Sequence, residues 1–210
     1  MSGASTAAMG VAVALPLPRE EQARADVYAL LARLYGAAPD RALLRTLGSA
    51  ARLAEAQGPW PVAFNRLADA SSVMDPEAAD QEYTDLFVGV GRSPVELHAS
   101  HWLAHESNRP LADLRTALAG LGVGRRGDAT MLEDHLGALL ETMRLLIAGA
   151  PGIARARLDV QRAFFARWID PWTTDCCIAI EGNSIANYYR RVAECTKVFL
   201  AIERDSFALE

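Results

Sequence analysis

Cysteine is scarce in these 210 residues: there are three, and two of them, Cys176 and Cys177, are neighbours. Adjacent cysteines bridge only with strained geometry. An odd count without a CxxC pair excludes a disulfide framework and reads as reduced thiols in a cytoplasmic protein, packed as small hydrophobes. Basic residues are missing from the start of the chain, with no Lys or Arg before Arg19. The charged opening of a secretory signal is therefore absent, and residues 1–18, with Pro16 and Pro18, read as a flexible N-terminal tail. No apolar run approaches the ~18 residues that span a bilayer, so a soluble chain without stable membrane insertion is expected. A surplus of positive charge is also lacking, since the net charge is −5. That argues against nucleic acid as a partner and is compatible with a basic peptide.

Catalytic templates are equally thin. There is no GxxxxGK[ST] or GxGxxG loop to cradle phosphate, no GxSxG elbow and no HExxH. The glycine-rich run at 120–124 ends a helix and joins no strand to one. No cofactor and no enzymatic activity are expected.

What the chain has is helical periodicity. Val27, Leu30, Leu31 and Leu34 form one stripe over residues 19–35. A second helix is expected over 39–57 and a third over 60–70. Asp75-Pro76 caps and opens a fourth that runs to Val88. Residues 89–94 read as a hinge, followed by a short helix over 96–106 and one over 109–121 capped by Asn108. Leu132, Leu136, Leu139, Met143 and Leu146 make a stripe over 130–148. A helix ending near Trp168, another opened by Asp170-Pro171 and a last one capped by Asn183 complete the chain. Strand alternation is absent. The expectation is all-α: a single helical-bundle domain of about ten helices over residues 19–210, with a hinge near residues 89–95.

Two short segments carry the functional signal. The first is Glu82-Tyr83-Thr84-Asp85-Leu86-Phe87-Val88-Gly89, with Ser93-Pro94-Val95-Glu96 after it. The second is Glu133-Asp134-His135-Leu136. In this order, in a helical chain of this length, they resemble the TorD/DmsD family of redox-enzyme maturation chaperones. Pro94 and Glu96 match the family's hinge, while Val95 and Leu97 stand where relatives carry an aromatic and a serine. The resemblance implies a cytoplasmic chaperone, monomer or dimer. It would bind the twin-arginine signal peptide and the immature catalytic subunit of a molybdoenzyme, and hold back export until the cofactor is inserted. Formate dehydrogenase is the client suggested by residues 82–106; a nitrate reductase kept in the cytoplasm is the alternative.

By that resemblance, Phe87, Gly89 and Pro94 form the hinge, and Glu96, Glu133, Asp134 and His135 form the peptide site. A carboxylate suits arginine because it can take the planar guanidinium fork through two bonds. Trp102, Trp168 and Trp172 are candidate linings for the peptide's apolar stretch. The rival signal is His98, His101 and His105, spaced to share one helical face and so weighed as metal ligands. The outer two lie about 10 Å apart along a helix axis, which disfavours one shared ion.

Overall fold

The computed structural model describes residues 16–53, 58–89, 91–104, 108–124 and 130–209. Among them are ten α-helices and one π turn, and no strand; two isolated bridges, His98 with His135 and Ala150 with Ile153, are the only sheet-like pairings. The helices are α1 (Arg19–Gly36), α2 (Arg41–Gly48), α3 (Pro59–Val73), α4 (Pro76–Tyr83), α5 (Ala99–Trp102), α6 (Pro110–Gly120), α7 (Leu136–Ala148), α8 (Leu158–Trp168), α9 (Asp170–Gly182) and α10 (Tyr188–Ala208). The π turn, Thr84–Val88, continues α4. The expected all-α architecture holds. Of the expected N-terminal tail, residues 1–15 lie outside the described residues.

The core forms around α1, which packs along α7 on one side and meets α10 on the other. Leu31 and Leu34 of the first apolar stripe are fully buried, together with Tyr28 and Tyr35. Close approach of α1 and α7 depends on small residues. A Cβ on Gly137 would lie 3.1 Å from the Ala32 carbonyl oxygen and 3.1 Å from the Gly36 nitrogen. Polar atoms caught inside are paired, as burial demands. Glu203, on α10, accepts from Arg24 at 2.8 and 2.9 Å and from the Tyr28 hydroxyl at 3.0 Å. The Tyr189 hydroxyl donates to the Leu34 carbonyl at 3.0 Å. Cys176, Cys177 and Cys195 are all free and buried, and burial pushes the Cys177 and Cys195 thiols up to about 12. They are core residues and not reactive groups.

Several helix boundaries differ from expectation. The second helix stops at Gly48, with Ser49 as its C-cap, where the glycine lets α2 approach the Ser72 backbone of α3 closely. Its expected end at residues 54–57 lies outside the described residues. Asp75 caps α4 as expected, its Oδ1 accepting from Glu77 and Ala78 at 3.1 Å. Asn108 and Asn183 do not cap: α6 and α10 begin at Pro110 and Tyr188 with no side-chain cap on the preceding residue. Asp170 is the first residue of α9, where it pairs with Arg204. The helix expected from residue 130 begins only at Leu136, so Asp134 precedes its first turn.

Candidate functional site

Glu82 stands at the end of α4, facing the start of α10. Its two oxygens accept the backbone N–H groups of Asn187 (2.9 Å), Tyr188 (3.0 Å) and Tyr189 (2.7 Å). Glu82 thus caps a helix more than a hundred residues away, and its negative charge meets the positive end of that helix's dipole. The rest of the segment is equally structural. Tyr83 donates to the Tyr35 carbonyl at 3.0 Å, fixing α4 to the end of α1. Phe87 packs edge-on against Tyr189 at 4.9 Å, Leu86 is fully buried, and the Leu86 carbonyl accepts from Val95 at 3.1 Å. Gly89 has φ +62°, and a Cβ there would come 2.8 Å from the Arg92 carbonyl oxygen. Only glycine fits this exit from the π turn. The segment's rings and carboxylate are therefore committed to packing.

The second segment behaves otherwise. Residues 94–99 run as a strap beside the start of α7. The Ala99 N–H donates to the Asp134 carbonyl at 2.9 Å, and the Leu136 N–H donates to the Leu97 carbonyl at 2.8 Å. His135 is the N-cap of α7, with Nδ1 accepting from the Gly137 N–H at 3.1 Å. That bond places its ring proton on Nε2. Burial, and next the charge of His98, push its pKa down to about 4 against the opposing pull of Asp134 and Glu96. His135 is therefore a neutral imidazole at neutral pH.

Asp134 is 2 % exposed. Its Oδ2 accepts from the Ser100 N–H at 3.1 Å. Its Oδ1 is buried without a hydrogen-bond partner among the described residues. Glu96 lies on the strap, half-buried, 2.5 Å from His98 Nδ1. Burial works to raise its carboxyl, but the His98 hydrogen bond and charge, with help from the Leu97 N–H and His101, hold it below its usual value. The Glu96 backbone carbonyl accepts from the Trp102 indole at 2.9 Å. His98 and His135 meet edge-on at 5.1 Å. Glu96, Trp102, Asp134 and His135 are thus brought together at one corner.

Glu133 points elsewhere. It pairs with Arg115 at 3.0 Å and lies on a groove of about 500 Å³ between α1, α6 and α7. Ala29, Ala32, Leu118, Met131, Ala138 and Leu145 give that groove an apolar lining. Arg33 and Glu141 are its other charged residues. The sequence reading missed the groove and Glu141. Its signal was the run of small residues at Ala29, Ala32 and Gly36 facing Gly137 and Ala138.

Two expectations about side-chain placement change. Trp168 and Trp172 are 5 % and 2 % exposed, and the Trp172 indole donates to the Trp168 carbonyl at 2.8 Å. Both are core residues in this conformation; Trp102, half-buried and stacked at 6.2 Å on Trp172, is the one that reaches the surface. The histidines do not share a helical face, since α5 spans only Ala99–Trp102 and His98 precedes it in extended conformation. His101 packs edge-on against Trp102 at 5.4 Å. Among the described residues no three His, Cys, Asp or Glu side chains gather as a metal site. His105 lies outside the described residues.

Residues 50–178, more than half the chain, match the family model described as Nitrate reductase delta subunit. The chain belongs to that family, which serves the maturation of molybdoenzymes as a chaperone and is not itself catalytic. Among curated proteins none matches it. No helix among the described residues is long and apolar enough to cross a membrane.

Proposed function

We propose that this chaperone acts in the cytoplasm on the twin-arginine leader of a molybdenum-cofactor oxidoreductase, and that the corner of Asp134, Glu96 and His135 receives the leader's arginines. The observation that carries this reading is the Oδ1 of Asp134, buried without a hydrogen-bond partner among the described residues. A buried acceptor without a donor costs about 1–3 kcal/mol, more when charged, and a guanidinium fork supplies the missing donor. Glu96, held ionised beside it, adds a second charge. Access requires the strap to move, which means releasing the Ala99 and Leu136 hydrogen bonds. Pro94 opens the strap, and Gly89, the other hinge residue, lies five residues before it. Trp102 then offers an aromatic surface to the leader's apolar part, and Glu133 is reached once it exchanges Arg115 for a leader arginine.

Calorimetric titration of the full chain with a leader peptide, and with the same peptide carrying alanine for both arginines, tests the reading. Binding that vanishes with the arginines supports it. Equal binding of the two peptides removes arginine recognition.

The client is proposed as a formate dehydrogenase on the resemblance of residues 82–106. A second client is favoured by the description of the matching family, which names a nitrate reductase. Titration with the N-terminal segments of the two catalytic subunits separates them: the true client binds at least about tenfold more tightly, a difference of about 1.4 kcal/mol.

A further inference from the structure

The end of α3 stands between two recesses that share no residue with the arginine corner or with the groove of α1, α6 and α7. One, of about 660 Å³, lies between α3 and the start of α10 and is walled by Arg66 and Arg191. The other, of about 320 Å³, lies between α2 and the end of α3 and is walled by Arg41 and Arg45. Ser72 and Met74 line both, so the last turn of α3 is a ridge dividing them. On that ridge Val73 is 86 % exposed.

The ridge is flanked by positive charge. Asp69 is the one acid lining either recess among the described residues, and Arg52 holds it at 2.7 Å. Arg66 and Arg191 share a single carboxylate, that of Glu194. Arg41 reaches Glu77 at 3.7 Å, through two well-exposed side chains whose attraction solvent screens. Arg45 makes no ion pair among the described residues. Counted with these partners, five arginines meet three carboxylates, a surplus of two positive charges in a chain whose net charge is −5.

A basic leader is repelled by such a surface, so its partner differs from the one proposed for the acidic corner. A lone phosphate or carboxylate would fill one recess and leave Val73 in water. A segment with acids on both sides of an apolar residue uses all three features. Its carboxylates take the guanidinium forks in both recesses, whose five donors each are mostly unspent, and its apolar side chain covers the ridge.

We propose that the end of α3 is a docking surface for an acidic segment of a partner protein, with an apolar residue seated on Val73 between carboxylates held by Arg41 and Arg45 on one side and by Arg66 and Arg191 on the other. The docking does not depend on leader recognition.

Calorimetric titration of the full chain at low ionic strength, with the end-capped peptide Glu-Glu-Leu-Leu-Glu-Glu as probe, tests the proposal. The peptide is expected to bind, and its version with serine for both leucines to bind about threefold more weakly. R45Q combined with R66Q is expected to weaken binding about tenfold, and V73S about threefold. All three positions are exposed, so the variants' urea midpoints should match the parent's. No binding to the parent, or equal binding by the double variant, overturns the proposal. Inorganic pyrophosphate that displaces the peptide and binds V73S as tightly as the parent, with the serine peptide equal to the leucine one, overturns it in favour of a simple anion site. Leader affinity should be the same in R45Q/R66Q as in the parent. Leader titration that fails while the acidic peptide binds would overturn arginine recognition and leave this surface standing.

Discussion

Glu82 and Asp134 are both buried acids placed beside the start of a helix, and the two segments they belong to bear the family resemblance together. Glu82 uses its two oxygens on three backbone N–H groups of α10. Asp134 uses one oxygen on the Ser100 N–H and leaves the other without a partner among the described residues. Around Glu82 the aromatic rings of Tyr83, Phe87 and Tyr189 close over one another. Around Asp134 the neighbours are a half-buried carboxylate, two imidazoles and a strap held by a few backbone hydrogen bonds. A motif can thus be met by the fold in two ways: one segment has its carboxylate fully used by backbone donors, and the other keeps a buried acceptor without a donor among the described residues.

The contrast can be broken most directly at Glu82. Replacing it with alanine strands three donors at the start of α10, each worth about 1–3 kcal/mol, so E82A should lose about 4 kcal/mol of stability in urea unfolding. Leader affinity per folded molecule should not change. If E82A unfolds like the parent, the capping role is void.

The next largest effect is a pH dependence that belongs only to the second region. The folded pKa of His135, about 4, lies below its ordinary value of 6.5. The unfolded chain therefore binds the extra proton between these values, and stability rises with pH across that window. The contribution is fully present above about pH 6.5 and is lost as pH falls toward 4, by roughly 3 kcal/mol at most. H135N, which keeps a capping acceptor without a titrating group, should flatten this slope in denaturation measured from pH 4 to 7. A slope unaltered by H135N would assign the effect to another group.

Asp134 gives a smaller change of a different kind. D134N keeps the shape but halves the acceptor capacity and removes the charge. It should weaken leader binding by about 2 kcal/mol, roughly thirtyfold, because a charged partner loses its counter-ion. Stability should move by less than about 1 kcal/mol. A large stability loss with unchanged affinity would make Asp134 a structural residue like Glu82. The smallest expected effect is at the hinge, where G89A forces a side chain into φ +62° against the Arg92 carbonyl. Thermal unfolding should report about 1–2 kcal/mol of destabilisation.

Much of this molecule was legible in its sequence. The stripes expected over α1 and α7 are buried largely as their periodicity requires, except Leu132, which is exposed and precedes α7. Asp75 with Pro76 set a helix start that the structure reproduces. The failures share one cause. Asn108 and Asn183 have the chemistry of caps, yet α6 begins without a side-chain cap and the start of α10 is satisfied by Glu82 from another helix. The histidine face failed because α5 ends after one turn, at Trp102. Trp168 and Trp172 carry the composition of a binding surface and the burial of a core.

The sequence by itself determined that helices form, roughly where they run and which face each one buries. Those properties depend on neighbours within a turn or two, through periodicity, proline and short polar caps. Only the tertiary structure decided which acidic residue is consumed by the fold, which of Trp102, Trp168 and Trp172 reaches solvent, and that Ala29 and Ala138 line one groove. Hydrogen-bond saturation and burial are properties of groups brought together from distant parts of the chain. Glu82 and Asp134 look alike as letters, and the donors that meet them come from α10 in one case and from the strap before α5 in the other.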